Sequence, residues 1–367
     1  MDIKIKAYNE AIKVIEKCKT PKGFRAAFPG YNGIWARDSV ITSLGASLLQ
    51  NKFKQTFKQS LITLAKYQAP NGQIPNAFIN NHGEYQSIDS SLWYIIGHLI
   101  FKQRYNDTSL FNSERKKIEK ALLWLSCQDL SNNGMLVQQP TTDWQDAFPH
   151  KYGHTINTQT LYYLILNLLK KTKEANKLRI NTNTNKDTSL WNGSFYLPYR
   201  WKNHNKYQEG GDWFDSLGNL LAIVFDLADE KQAISILNHI EKNKINKPFP
   251  VKAIYPPITR SSEFWHEYYE DCAAKDPYHY LNGGIWTYIG GFYVLALIKL
   301  KQFNKAKKEL ENLARANLQS PMFNEWLHGE SGKPGLSGDS SLEGNQAWNA
   351  GMYLLAFESL KKKKILI

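Results

Sequence analysis

The chain has 367 residues, 42% of them hydrophobic and 13% aromatic, enough to enclose a large core and too many for a disordered or low-complexity chain. Its formal net charge of +13 invites an anionic partner, but the lysines are spread over outer helix faces and run together only in the terminal KKKKILI, so neither nucleic acid nor a membrane surface is expected as a partner. Cys18, Cys127 and Cys272 lie far apart without a C-x-x-C pair, no segment nears the roughly 18 apolar residues of a membrane span, and the charged amphipathic start lacks a signal-peptide core; the expectation is a cytoplasmic protein without disulfides or zinc, as monomer or homo-oligomer.

In chain order, two kinds of helical pattern alternate. Lysine-rich segments with one apolar face occupy about 3–17, 52–68, 113–128, 171–191, 230–243 and 301–317. Between them lie segments apolar nearly all round: 36–49, 89–101, 157–169, 216–228, 283–300 and 343–360. A helix apolar on every side must be buried on every side. Six half-exposed helices alternating with six enclosed ones predict a double ring, an all-α (α/α)6 barrel formed by one domain over residues 1–367. Links from enclosed to outer helices are short, whereas those from outer to enclosed helices are long and rich in Gly, Pro, Trp, Tyr and Asp. Antiparallel alternation gathers the long loops at the N-termini of the inner ring, where function concentrates on a rigid scaffold.

The first long loop, FRAAFPGYNGIWARDSVIT, offers Trp35, Arg37 and Asp38. Asp38 either caps backbone N–H groups of the helix it opens or accepts hydrogen bonds from two sugar hydroxyls, held by Arg37 above Trp35. In the second, Asn76 and Asp89 have the same two readings, turn and cap or sugar contact. The third, TTDWQDAFPHKYGHTINTQ, sets Asp143 and Asp146 around Trp144 and adds His154, a substrate contact or a satisfied structural histidine. In the fourth, Asp215 is expected to cap the helix beginning at Ser216. The fifth is aromatic and contains Trp265, His266, Tyr280 and Asn282, for sugar stacking or packing. The sixth has Glu325 between Asn324 and Trp326, an unusual place for a surface glutamate, then a Gly-rich turn to Gln346 and Trp348.

The run PGYNGIWARDSVITSLGASLL, YQAPNGQIPN, YQSIDSSLW, DWQDA, NEWLHG and QAWNAG resembles the C-terminal glucosidase domain of glycogen-debranching enzymes. More broadly it resembles the six-hairpin glycosidases, which include neutral invertases and mannosylglycerate hydrolase relatives. The resemblance covers nearly the whole chain and implies an inverting hydrolase without a cofactor or metal, acting on carbohydrate. The family's T-W-M-D-A motif falls on DWQDA, which makes Asp146 the expected general acid, with Asp143 the alternative. The glutamate before the Gly-rich turn and Q-A-W falls on Glu325, the expected base. Arg37, Asp38, Asp89 and Trp348 match positions that contact sugar in the family. Two departures bear on the substrate: Gly344-Asn345 stands where Ser-Pro precedes Q-A-W, and Asn324 replaces the Pro beside the base. The additional N-terminal domains of debranching enzymes are missing from this sequence, so neither a transferase activity nor glycogen anchoring is expected of it.

Inversion needs a protonated carboxyl beside the leaving oxygen and an ionised one holding water on the opposite face, about 6.5–9.5 Å apart. Two acids on different loops at one barrel end meet that need. The expected function is hydrolysis of an α-glucosidic bond in a small oligosaccharide or α-glucan end. The alternatives are a sucrose or other disaccharide hydrolase and a non-catalytic carbohydrate-binding barrel. A phosphorylase would require a phosphate pocket, and the six loops carry no phosphate-binding motif.

Overall fold

The computed structural model describes residues 2–204, 207–336 and 344–367. Its α-helices are α1 (Ile3–Cys18), α2 (Ala36–Ala46), α3 (Lys54–Lys66), α4 (Asp89–Tyr105), the short α5 (Ser109–Ser113), α6 (Arg115–Ser126), α7 (Ile156–Leu168), α8 (Thr172–Asn183), α9 (Ser216–Val224), α10 (Glu230–Lys242), α11 (Thr287–Lys299), α12 (Phe303–Asn317) and α13 (Ala347–Lys362).

Burial sorts them as the periodicity predicts. On α12 the buried Ala306, Leu310, Leu313 and Ala314 recur at helical spacing, and on α10 Ala233, Ile236, Leu237 and Ile240 do the same, leaving the lysines outside. By contrast, α11 is buried at every position from Thr287 to Ile298, and α4 from Asp89 to Phe101. Each enclosed Leu, Ile or Phe contributes about 1.5–3 kcal/mol through burial. The enclosed helices pack in a closed ring, α2 on α4, then α7, α9, α11, α13 and back to α2. Around it, α3 lies against α2 and α4, α6 against α4, α8 against α7, α10 against α9, α12 against α11 and α13, and α1 against α13 and α12. The fold is an (α/α)6 barrel. At the α2–α13 contact the backbones nearly touch: a Cβ on Gly45 would lie 1.8 Å from the carbonyl oxygen of Gly351.

Some helix ends differ from expectation. Helix α11 starts at Thr287 rather than 283, because Gly283 turns at φ +86° and Ile285 is held in bridges to Lys252 and Leu327. Helix α8 stops at Asn183, well short of 191. Beyond it Asn185 and Ser189 side chains capture nearby backbone N–H groups, competing with the helix. Helix α9 stops at Val224 rather than 228. The expected start of the last inner helix at 343, the rest of the sixth-loop stretch 337–343, and residues 205 and 206 of the fourth loop lie outside the described residues.

Every strand among the described residues belongs to a loop that enters an inner helix, and no sheet there exceeds three strands. These pieces stitch neighbouring loops together around the barrel mouth. Ile34–Trp35 pairs with Ala77–Ile79, His154–Thr155 with Tyr199–His204, and Phe214–Asp215 with Ile254–Tyr255. Ile285 bridges Leu327, Ala27 bridges Gln346, and the Ile88 amide donates to the Thr142 carbonyl. The stitching makes a full circuit, so loop backbone that would otherwise be mobile becomes a fixed rim.

Candidate active site

A cavity of about 90 Å³ opens in this mouth. Tyr31, Trp35, Arg37 and Asp38 reach it from the first loop and the start of α2, and Trp144 and Asp146 from the third loop. The fifth loop supplies Tyr280 and Trp286, and the sixth Glu325, Gln346 and Trp348.

Helix polarity accounts for the acids here. The N-cap residues of α2, α4, α7, α11 and α13 make no side-chain capping bond, the positive helix ends favour carboxylates nearby, and Asp38 and Asp89 occupy first-turn positions. Among the inner helices only α9 is capped by the side chain of its own N-cap residue, Asp215 accepting from the Gly218 amide at 3.1 Å as its sequence position predicts, while on α11 the Tyr288 amide donates to the Asn349 side chain at 3.0 Å.

Arg37 links the acids. Its Nη1 donates to both oxygens of the fully buried Asp89 at 3.0 and 3.3 Å, its Nε lies 3.8 Å from Asp38, and its Nη2 lies 3.9 Å from Asp146. Burial alone would weaken the guanidinium, but Asp89, Asp38 and Asp146 together raise its pKa, so it stays a cation. Burial is also the main influence on the acids, and Arg37 opposes it. The pKa of Asp38 is raised to about 6, and those of Asp89 and Asp146 are raised above the ordinary carboxylate value. The Asp146 side chain is 43% accessible because it faces the open cavity, while the surrounding barrel mouth desolvates it.

In the same cavity lining, the Tyr31 hydroxyl donates to Glu325 at 3.2 Å. Tyr280 is pushed far above its ordinary pKa by burial, then by Glu325 and Asp146, and remains a neutral phenol. The walls are aromatic: Trp348 stacks on Tyr288 at 4.1 Å, and Trp144 and Trp286 meet edge to face at 5.6 Å. On residues that line the cavity, Arg37 Nε, the indole N–H groups of Trp144 and Trp348, and the Gln346 amide nitrogen are buried without a hydrogen-bond partner. Among the described residues, no group of three or more His, Cys, Asp or Glu is arranged to hold a metal ion.

Other sequence candidates lie elsewhere. Asp143, the alternative acid, is fully buried, 2.9 Å from Lys151 Nζ, and does not line the cavity. Asp89 sits behind Arg37 rather than in the cavity wall. Asn76 accepts from Ser87 at 3.0 Å, and its carbonyl takes the Ala36 amide at the start of α2. His154 is buried, its Nδ1 3.3 Å from the Leu136 carbonyl and its ring edge-on to Trp201. Asn282 exchanges two hydrogen bonds with the Ile258 backbone, and Trp265 packs on Tyr269 beneath Arg260. None of these four lines the cavity. Tyr31 and Trp286 are the aromatic lining residues that sequence reasoning did not select. Their signal was an aromatic placed within a few residues of an inner helix start.

Similarity to known proteins agrees with this geometry. Residues 9–209 match the family described as amylo-alpha-1,6-glucosidase, and residues 205–363 match that described as alkaline and neutral invertase. A probable alkaline/neutral invertase A, chloroplastic, from Arabidopsis thaliana is 31% identical over 154 residues, 41% of this chain and 23% of the relative. The neutral/alkaline invertase 1, mitochondrial, of Oryza sativa subsp. japonica is 33% identical over 122 residues, 33% of this chain and 19% of its own length. The chain therefore matches less than a quarter of the length of either relative. Among solved structures, a wild-type glycosidase superposes with a TM-score of 0.72 at 14% identity, covering 98% of this chain and 97% of that one. The GH63 mannosylglycerate hydrolase from Thermus thermophilus in complex with glucose gives 0.67 at 14% identity, with 95% and 98% covered. At such identities the structural likeness speaks for the fold. No helix among the described residues is long and apolar enough to cross a membrane.

Proposed function

The chain belongs to the amylo-α-1,6-glucosidase family, and from that premise we propose that it is an inverting glycoside hydrolase. Its substrate is an α-glucosidic bond in a small oligosaccharide or at an α-glucan end, with Asp146 as general acid and Glu325 as general base. The observation that carries the reading is that Asp146 and Glu325, from different loops, enter one cavity walled by aromatic side chains.

A general acid must hold its proton at working pH, and burial, partly offset by Arg37, raises the pKa of Asp146 in that direction. Proton transfer to the glycosidic oxygen lets the leaving alcohol depart neutral. Glu325, oriented by the Tyr31 hydroxyl, takes a proton from the water that attacks the anomeric carbon from the opposite face. Arg37, Asp38 and the indole N–H groups fix the sugar between them, and the neutral Tyr280 phenol offers a further donor.

Asp146→Asn is expected to keep sugar binding while losing several powers of ten in turnover on substrates with poor leaving groups. An α-glucosyl fluoride needs little acid assistance and rescues this variant more than Glu325→Gln, in which water is not activated. Early proton NMR of α-glycoside hydrolysis should show the β-anomer first; the α-anomer first would mean a retaining double displacement and end this assignment.

A second reading, hydrolysis of sucrose, is favoured by one observation: the part of the chain holding Glu325 matches the neutral invertase family. Screening isomaltose, panose, maltotriose, sucrose, trehalose and mannosylglycerate for released monosaccharide decides between them. Sugar binding without turnover of any of these would leave a non-catalytic binding barrel.

A further inference from the structure

Lys151 is a lysine with no solvent exposure, five residues past Asp146, and it has no part in the chemistry above. Its Nζ lies 2.9 Å from Asp143 and 3.0 Å from Asp215, and donates to Gln145 Oε1 at 2.6 Å. Burial alone would lower its pKa, but the two carboxylates outweigh that and raise it, so the ammonium stays charged. Each partner is anchored in turn. Asp143 accepts from the Gln145 amide at 2.9 Å and from Gln138 at 3.3 Å, and Gln138 accepts from Thr155 and Thr158 at the start of α7. Asp215 caps α9. The network thus runs from the start of one inner helix to the start of the next, through the loop that carries the acid.

Side-chain direction alternates along that loop. Asp143 and Gln145 turn back into the cluster around Lys151, while Trp144 and Asp146 line the cavity. We propose that Lys151 is a positioning residue for catalysis: by holding Asp143 and Gln145 against the cap of α9, it aims Trp144 and Asp146 into the cavity. The inference rests on the reading of Asp146 as general acid. An ordinary core lysine would be expected to affect stability alone, but one that acts through the acid affects the proton-dependent step. A displacement of about 1 Å at a reacting group is enough to cost on the order of 100-fold in rate. Charge contributes as well: without the ammonium, the Asp143 carboxylate would face the acid cluster uncompensated.

The test compares wild type, Lys151→Met and Gln145→Met on α-glucosyl fluoride and on whichever of isomaltose and sucrose the wild type cleaves. Gln145→Met removes one strand of the network and leaves both ion pairs, so it serves if Lys151→Met does not fold. For folded Lys151→Met, kcat on the glycoside should fall about 100-fold with KM within about threefold, while the fluoride rate stays within about tenfold of wild type. Gln145→Met should show the same leaving-group dependence at smaller amplitude. Equal losses on both substrates, or no loss in either variant, overturn the positioning role while the hydrolase reading stands. Wild type inert on every substrate overturns that reading and the inference together.

Discussion

Asp38 shows how a single site residue trades stability for a functional position. Its pKa is raised from the ordinary 3.8 to about 6, chiefly by burial against the opposing pull of Arg37. A raised folded-state value means that the protonated form is the favoured one inside the barrel. The unfolded chain therefore ionises first as pH rises, so stability falls between about pH 4 and pH 6 and the full penalty persists above. Asp38→Asn removes the ionisable group, so its stability relative to wild type should be greater at pH 7.5 than at pH 4.5 by about 1–3 kcal/mol. Denaturant unfolding at the two pH values measures this, and a pH-independent difference would show that Asp38 is not held in a desolvated place. Trp35, Arg37, Asp38, Gln346 and Trp348 were legible as cavity residues because each lies within two residues of an inner helix start, where the helix fixes side-chain direction. Asn76, Trp265 and Asn282 lie mid-loop, where the path of the chain decides, and no pattern in the sequence encodes that path. Asp143 and Asp146 were both plausible from spacing. What separates them is Lys151, whose burial could not be read from a chain in which lysines mostly mark outer faces.

At the scale of the element, the exposure of each helix was legible because its cause is periodic. A helix such as α12, with buried Ala306, Leu310, Leu313 and Ala314, has one face to hide, whereas α11 has no polar face to offer. Helix ends were less legible, because the start of α11 is decided by Ile285 pairing with Leu327, which lies over forty residues away in the chain. The closeness of α2 and α13 was not legible either, since a glycine inside a helical pattern signals nothing until its neighbour is known. Gly45 faces the Gly351 carbonyl, and a Cβ there would fall at 1.8 Å from it, with only backbone to give way. Gly45→Ala raises helix propensity yet should destabilise the protein by about 1–3 kcal/mol or more, because two inner helices must separate. Thermal unfolding of this variant beside Lys13→Ala, on the exposed face of α1, checks it. If Gly45→Ala is as stable as Lys13→Ala, the two backbones do not approach as closely as described.

For the whole molecule, the decisive property is closure. The two family matches divide the chain near residues 205–209, yet the contacts do not divide there: α7 packs on α9 across that boundary, and α13 returns to α2 and α1. Each inner helix is buried only if both of its neighbours in the ring are present. Removing any one exposes two apolar flanks, so a half-barrel would leave long apolar helix faces in water. The strand and bridge pairings around the mouth, with the Ile88–Thr142 backbone hydrogen bond, make a second closed circuit, and the cavity draws on loops from both halves, Asp146 from one and Glu325 from the other. From this we infer that residues 1–367 behave as one folding unit, and that assembly of the site requires the whole ring. Thermal unfolding followed by far-ultraviolet circular dichroism and by tryptophan fluorescence should therefore give superimposable transitions, because the helices and the indoles at the mouth are lost together. Two separated transitions, with helix content persisting after the fluorescence change, would mean that part of the ring stands alone and that the chain folds as two units.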